Sequence, residues 1–391
     1  MDSQRYNSLA MQTNLSTILS RNRTLVSLFA VALLTAIASA APQPSPAVAQ
    51  PNVYKSAQGY HLTYPSGWQI LSAKDRAAIG EAGSQLHRNI DPSDVDVLIH
   101  APSTDPIRSL NVNVSPNIVP ATQYYLDEYK KLLPQQLSKF SASGPPQNLD
   151  IRLTKVGRYD AILATWTSDM PGAGRVWEEQ FVIPGNSHTF IVTCTSEADS
   201  SAVAAPIFAK ILATFQIDKE PPPMGSGRIH EILQEAKSYQ AADAKTGAAL
   251  QEIVGRQTRT FAEFEKQCAD LQATLAESDA MEKRKRKMLA DLQFEFRDDS
   301  KVKPVFNLLY QMEDISDKVE PIWRGMIACS GILASAAQNK QEAYQNICVD
   351  PAHQQLSLLV PEMNSLARQL QAEVQKYGGA LPRDFLQAIG Q

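Results

Sequence analysis

Cysteine is scarce in this chain of 391 residues: there are four, at Cys194, Cys268, Cys329 and Cys348. They are too few and too scattered for a disulfide scaffold, and none sits in a Cys-x-x-Cys pair. Histidine is almost as thin, with six residues spread from His61 to His353 and no His-x-x-x-His metal pair. A Gly-x-Ser-x-Gly elbow and a phosphate-cradling Gly loop are missing as well. Charge of one sign is also lacking, with a formal net charge of -4 and an isoelectric point near 5.9. Nucleic-acid binders usually show a strongly basic face, so nucleic acid is not an expected partner. Neither a cofactor nor catalysis is expected from this inventory.

One long apolar run stands out, Leu25–Ala40, led by Arg21 and Arg23 and closed by Ala38-Ser39-Ala40. A basic approach, an apolar stretch and small residues at the recognition positions make a secretory signal. A membrane-spanning helix needs about 20 apolar residues, and this run falls short. The block Pro42-Gln43-Pro44-Ser45-Pro46 then ends any helix, because Pro lacks the amide donor and clashes with the preceding turn. Cleavage is expected after Ala40, or after Ala49, where Ala47-Val48-Ala49 fits the same rule. An uncleaved N-terminal membrane anchor is the alternative. No Cys follows the run, which argues against lipid modification. The rest of the chain is thus expected outside the cytoplasm, periplasmic or extracellular.

Composition shifts at residues 218–227, where Pro221-Pro222-Pro223 and Gly225-Ser226-Gly227 read as a linker. Upstream lie the aromatic and β-branched residues; downstream Gln, Glu, Ala, Lys and Leu dominate. The organisation is therefore a signal over 1–40, a Pro-rich link over 41–51, an α/β domain over 52–217, the linker, and a helical domain over 228–391.

In the α/β domain, strands are expected at Tyr60–Tyr64, Val95–His100, Leu110–Val114, Leu149–Val156, Ala161–Thr167, Val176–Ile183 and Thr189–Thr195. The last four, joined by short turns, imply an antiparallel meander. Val176–Ile183 reads as half-buried, with Trp177, Phe181 and Ile183 on one face and Glu178 and Gln180 on the other. Amphipathic helices are expected at Thr122–Phe140 and Ser201–Leu212. Glu178 and Glu179 point to opposite faces and cannot act as an acid/base couple. Asp94 and Asp96 read as solvated edge charges, and Tyr64-Pro65-Ser66-Gly67-Trp68 as a hydrophobic corner closed by a turn. His61, His100 or His188 beside a carboxylate in a deep cleft would instead favour an enzyme.

Tyr60-x-Leu62-x-Tyr64-Pro65-x-Gly67-Trp68 near the start and Ile207-Phe208-x-Lys210-Ile211-Leu212-x-Thr214-Phe215 at the end resemble the opening and closing segments of PsbP-like domains. These are the extrinsic photosystem proteins and their exported bacterial relatives. The resemblance covers about 165 residues. It implies an α+β fold, an antiparallel sheet sandwiched by helices, and a non-catalytic module that binds other components outside the cytoplasm.

The helical domain steps by 3 and 4 through Cys268, Leu271 and Leu275, through Val305 to Leu333, and through Leu356 to Leu370. Such seams pack helices in coiled-coil fashion. A helix from Leu250 to Phe296 is expected to turn at Arg297-Asp298-Asp299-Ser300. The returning helix is expected to run through Pro321 as far as Cys348, until Asp350-Pro351 stops it. The result is an antiparallel stalk of three or four helices that spaces the head or self-associates.

With the turn near residue 299, Cys268 and Cys329 lie opposite, and a disulfide between them is expected. A Cys329–Cys348 bridge needs a second turn near Gln338-Asn339-Lys340, which the unbroken seam argues against, and two separate buried thiols are the alternative. A zinc site with His353 has no supporting ligand spacing. Lys283-Arg284-Lys285-Arg286-Lys287 is the one dense charge run. It reads either as a solvated helix face or as a patch for a membrane surface or an anionic cell-wall polymer. A protein partner is the leading expectation.

Overall fold

Val, Ile, Phe and Thr crowd residues 147–197, and there the chain forms four long consecutive strands. The computed structural model describes residues 51–72, 95–102, 108–138, 144–170, 174–218, 228–256, 261–333, 342, 345–377 and 381–389. The four strands are β6 (Gln147–Val156), β7 (Tyr159–Met170), β8 (Gly174–Pro184) and β9 (Thr189–Glu197). They pair antiparallel in sequence order, the meander implied by their short turns. Between β6 and β7 only Gly157 and Arg158 make the turn, and Gly157 takes φ 57°, a conformation that costs glycine no steric penalty.

Before them run β1 (Asn52–Lys55), β2 (Tyr60–Tyr64), β3 (Gln69–Ile70), β4 (Val95–His100) and β5 (Arg108–Ser115), and after them β10 (Gln216–Ile217). Among the described residues the sheet order is β3-β4-β5-β9-β8-β7-β6, with a small β1-β2-β10 sheet beside it. One face of the large sheet presents Leu110, Val112, Phe181, Ile183, Phe190 and Val192. It packs against Phe208, Ile211 and Leu212 of α2 (Ser201–Leu212) and against Tyr60 and Leu62 of β2. The other face lies under α1 (Gln123–Leu137), which buries Tyr125, Leu126, Tyr129, Leu133 and Leu137. This is the expected α+β architecture.

The expectation of a half-buried β8 is corrected. Glu178 is fully buried and Gln180 nearly so, because α1 covers the face they occupy. Trp68 behaves as the hydrophobic corner: its amide closes a turn onto Pro65, and its ring meets Phe208 edge-on at 6.0 Å.

The chain divides between Pro222 and Pro223 into two compact units. The second is built from α3 (Arg228–Gly255), α4 (Phe261–Glu295), α5 (Val302–Leu333), α6 (Asp350–Tyr377) and a short α7 (Arg383–Ala388). The single helix expected from Leu250 to Phe296 is replaced by the end of α3 and the whole of α4. The carbonyls of Ile253 and Arg256 at the end of α3 are capped by Gln267 of α4, and Arg256 pairs with Asp270. These contacts, with Thr246 against Met281 and Ser238 bonded to Arg284, lay α4 antiparallel along α3. The α4–α5 turn is where it was expected, and Phe385 of α7 closes over it against Phe296 and Phe306.

Two further expectations fail at the next junction. α5 passes through Pro321, but Cys329 and Cys348 have Cα atoms 5.8 Å apart where a straight helix would separate them by about 28 Å, so the helix does not run on to Cys348. Asp350-Pro351 opens α6 instead of stopping a helix, and a π-helical turn over Gln345–Val349 runs directly into it. The disulfide joins Cys329 to Cys348, with Cα atoms 5.8 Å apart, and Cys268 is a buried cysteine outside it. The expected Cys268–Cys329 bridge is therefore wrong, and the helix register explains why. Asp279 pairs with Arg324, Arg286 with Asp317, and Gln293 with Tyr310, all symmetric about the Lys301–Val302 bond. In that register Cys329 faces Thr274, six residues from Cys268. At ~1.5 Å per residue the offset is about 9 Å along the axis, beyond the reach of a disulfide. Met326 and Cys348 share a core cluster, and so do Val305 and Leu370, so α6 returns along α5 and brings Cys348 to Cys329.

Candidate functional site

Pairing register decides which polar side chains of the head meet. Ser109, Thr195, Glu178 and Trp166 stand side by side across β5, β9, β8 and β7. The next row on the same face is Asn111, Thr193, Gln180 and Ala164. All eight are buried, forming a polar band that α1 meets through Tyr129 at Gln180. The indole N–H of Trp166 donates to Glu178 at 2.9 Å, and the Thr195 hydroxyl donates to the other carboxylate oxygen at 3.3 Å. The Gln180 amide donates to Thr193 at 3.0 Å and accepts from the Tyr129 hydroxyl of α1. Burial pushes the Tyr129 phenol well above its ordinary range, so it stays a neutral donor.

Among the described residues of the head this band gathers many buried polar groups. Trp166, Glu178 and Thr195 bond one another, as do Tyr129, Gln180 and Thr193, and such a network holds strand register and the seat of α1. It is legible only in part from sequence: Glu178 and Gln180 were assigned to one face, and the signal for their burial is the row of Thr and Asn on the neighbouring strands.

On the opposite face, Glu179 is mostly buried beside Cys194, its cross-strand partner. Burial pushes its carboxyl up to about 7, partly offset by the charge of Arg152. The Cys194 thiol is raised by burial and by Glu179, which keeps it protonated and unreactive. Glu178 and Glu179 thus lie on opposite sides of the sheet, as their adjacency requires.

Asp96 is not a solvated edge charge. One of its oxygens accepts hydrogen bonds from Ser56 and Tyr60 at 2.6 Å and from Tyr54 at 3.1 Å, tying the β1–β2 hairpin to β4. Asp94 lies outside the described residues. His61 meets Asp218 at 2.5 Å in a partly exposed pair at the β2–β10 edge. His100 contacts the Ala101 carbonyl, and His188 the Ser187 hydroxyl. The structure does not bring these three histidines together.

In the helical unit the basic run is largely engaged. Arg284 pairs with Glu235, Lys285 with Glu313, Arg286 with Asp317, and Lys287 with Asp291. Lys283 is exposed. The run therefore ties α4 to α3 and α5 more than it forms a free patch. Among the described residues no group of three or more His, Cys, Asp or Glu is arranged to hold a metal, and no helix is long and apolar enough to cross a membrane. Ala40, Ala49 and the whole leader lie outside the described residues.

The fold has counterparts among solved structures. The chain is similar to the cyanobacterial PsbP (CyanoP) of Synechocystis sp. PCC 6803, at 14% identity and a TM-score of 0.33, over 45% of this chain and 98% of that one. A crystal structure from Bacteroides thetaiotaomicron VPI-5482 matches at 11% identity and a TM-score of 0.28, over 63% of this chain and 78% of that one. LpqN, a protein involved in cell envelope biogenesis of Mycobacterium tuberculosis, matches at 14% identity and a TM-score of 0.26, over 44% and 87%. A PsbP structure is thus among the neighbours of the chain whose head carries the PsbP-like motifs. No family model matches the chain, and no curated protein does.

Proposed function

We propose that this is an exported, non-catalytic component of the bacterial cell envelope. Its α+β head binds a protein partner, and its helical unit spaces the head or associates with a second copy. The observation that carries this reading is the order of parts: a basic, apolar, small-residue leader, then two units with separate cores on either side of a Pro/Gly segment. Exposed Ile347, Leu358 and Val360 on the helical unit support the association role, since apolar side chains in water favour a covered state.

The rival reading, adhesion to anionic lipid or cell-wall polymer through Lys283–Lys287, is weakened by the ion pairs of Arg284, Lys285, Arg286 and Lys287. Crosslinking in intact cells, followed by mass spectrometry and N-terminal sequencing of the recovered protein, tests the proposal. A mature chain beginning near Ala41 or Gln50, linked to an envelope protein through head lysines, is expected. A cytoplasmic protein that retains Leu25–Ala40 would sink it.

A further inference from the structure

β6 is the outer strand of the seven-stranded sheet, with β7 on one side and, among the described residues, no strand on the other. Such an edge presents a row of unpaired amides and carbonyls. The hairpin turn decides which residues supply them. Val156 and Tyr159 flank Gly157-Arg158 as the first and last residues of a β-turn, the pair that such a turn hydrogen-bonds. Hydrogen-bonded and open pairs then alternate down the ladder. Thr154, Arg152 and Asp150 therefore bond to β7, while Lys155, Leu153 and Ile151 turn their backbone groups outward.

Side chains along this edge are open to water. Leu153 is 40% exposed, and the side chains of Asp150, Arg152 and Lys155 are more than half exposed. Lys155 pairs with Asp160 of β7. Asp150 and Arg152 pair with each other on the face of the sheet that carries Leu163, and Ile151 and Leu153 lie on the opposite face.

Charges on an edge strand usually keep other strands away. A second copy of the same edge is the exception here. Two identical edges meet antiparallel about a twofold axis perpendicular to the sheet, so each residue opposes one from the same face. Centred on Ile151, this pairing sets Asp150 of each copy against Arg152 of the other, Ile151 against Ile151, and Leu153 against Leu149. Centred one residue to either side, it sets Arg152 against Arg152 or Asp150 against Asp150. Like charges directly opposite destabilise a strand pair, and opposite charges support it. One register is selected, and its two neighbours are rejected.

We propose that the head binds a second copy of this chain through β6, edge to edge and antiparallel, in the register centred on Ile151. The two seven-stranded sheets then continue into one another. This contact is separate from the association ascribed above to the helical unit. A pairing confined to Leu149–Leu153 falls short of the ~800 Å² per partner of a standard interface, so the dimer is weak and depends on concentration.

Sedimentation velocity of the full mature chain over a concentration series, at neutral pH and low salt, tests the proposal. Wild-type mass is expected to rise toward that of a dimer. Arg152→Glu opposes like charges at both ends of the pairing and should weaken association about tenfold. Adding Asp150→Arg to Arg152→Glu restores opposite charges and should return the wild-type curve. Amide exchange gives a readout that needs no variant. Protection of the Ile151 and Leu153 amides, which point outward in the single copy, should rise with protein concentration. A monomeric wild type, or association with no gain of protection at these amides, overturns the proposal. Association unmoved by Arg152→Glu also overturns it, while leaving self-association through the helical unit standing.

Discussion

At the scale of single residues, the head spends its polar side chains on holding itself together. The Tyr129–Gln180–Thr193 chain fastens α1 to the sheet, so Tyr129→Phe removes a donor from a buried acceptor. Urea unfolding is expected to show a loss of about 1–2 kcal/mol. Glu179 acts in the opposite sense. Its folded carboxyl is raised to about 7 against an ordinary 4.5, so the folded head binds a proton that the unfolded chain releases. Head stability should therefore fall by roughly 2–3 kcal/mol as pH rises from 4.5 to 7 and then level off. Glu179→Gln should remove that slope and leave the protein more stable at pH 8, as thermal unfolding at pH 5 and pH 8 will show. Sequence placed Glu178 and Glu179 on opposite faces, but it could not show that both faces are covered. That depends on α1, whose packing is a long-range event.

At the scale of elements, strands and helices of the head were legible because their side-chain periods differ, two residues against 3.6. All seven expected strands form, while β1, β3 and β10 escaped notice because two to four residues carry too little pattern. The helical unit was legible as helix but not in its breaks. Neither the end of α3 at Gly255 nor the stretch between Cys329 and Cys348 carries a proline, and in each case the chain folds back along a neighbouring helix. The Cys329–Cys348 link, 19 residues apart in sequence, fastens one of these returns. Cys348→Ser, or reduction, should cost the helical unit about 3 kcal/mol in a thermal melt, through the freed loop of the unfolded chain. Non-reducing peptide mapping should find Cys329 joined to Cys348 and Cys268 alkylated only after unfolding.

At the scale of the whole molecule, the two units have cores drawn from their own residues: Tyr60, Phe181 and Phe208 in the head, Phe296, Phe306 and Phe385 in the helices. Calorimetry of the full chain should therefore resolve two transitions. Tyr129→Phe is expected to lower one and Cys348→Ser the other, and a single transition shifted by both variants would contradict the division. What the sequence determined alone was local: the change of period across residues 218–227 and most element positions, because each follows from neighbours a few residues apart. Only the tertiary structure decided the disulfide partner and the burial of Glu178. Each of these depends on helix register or on a second covering layer, and a shift of six residues or one packed helix changes which side chains touch.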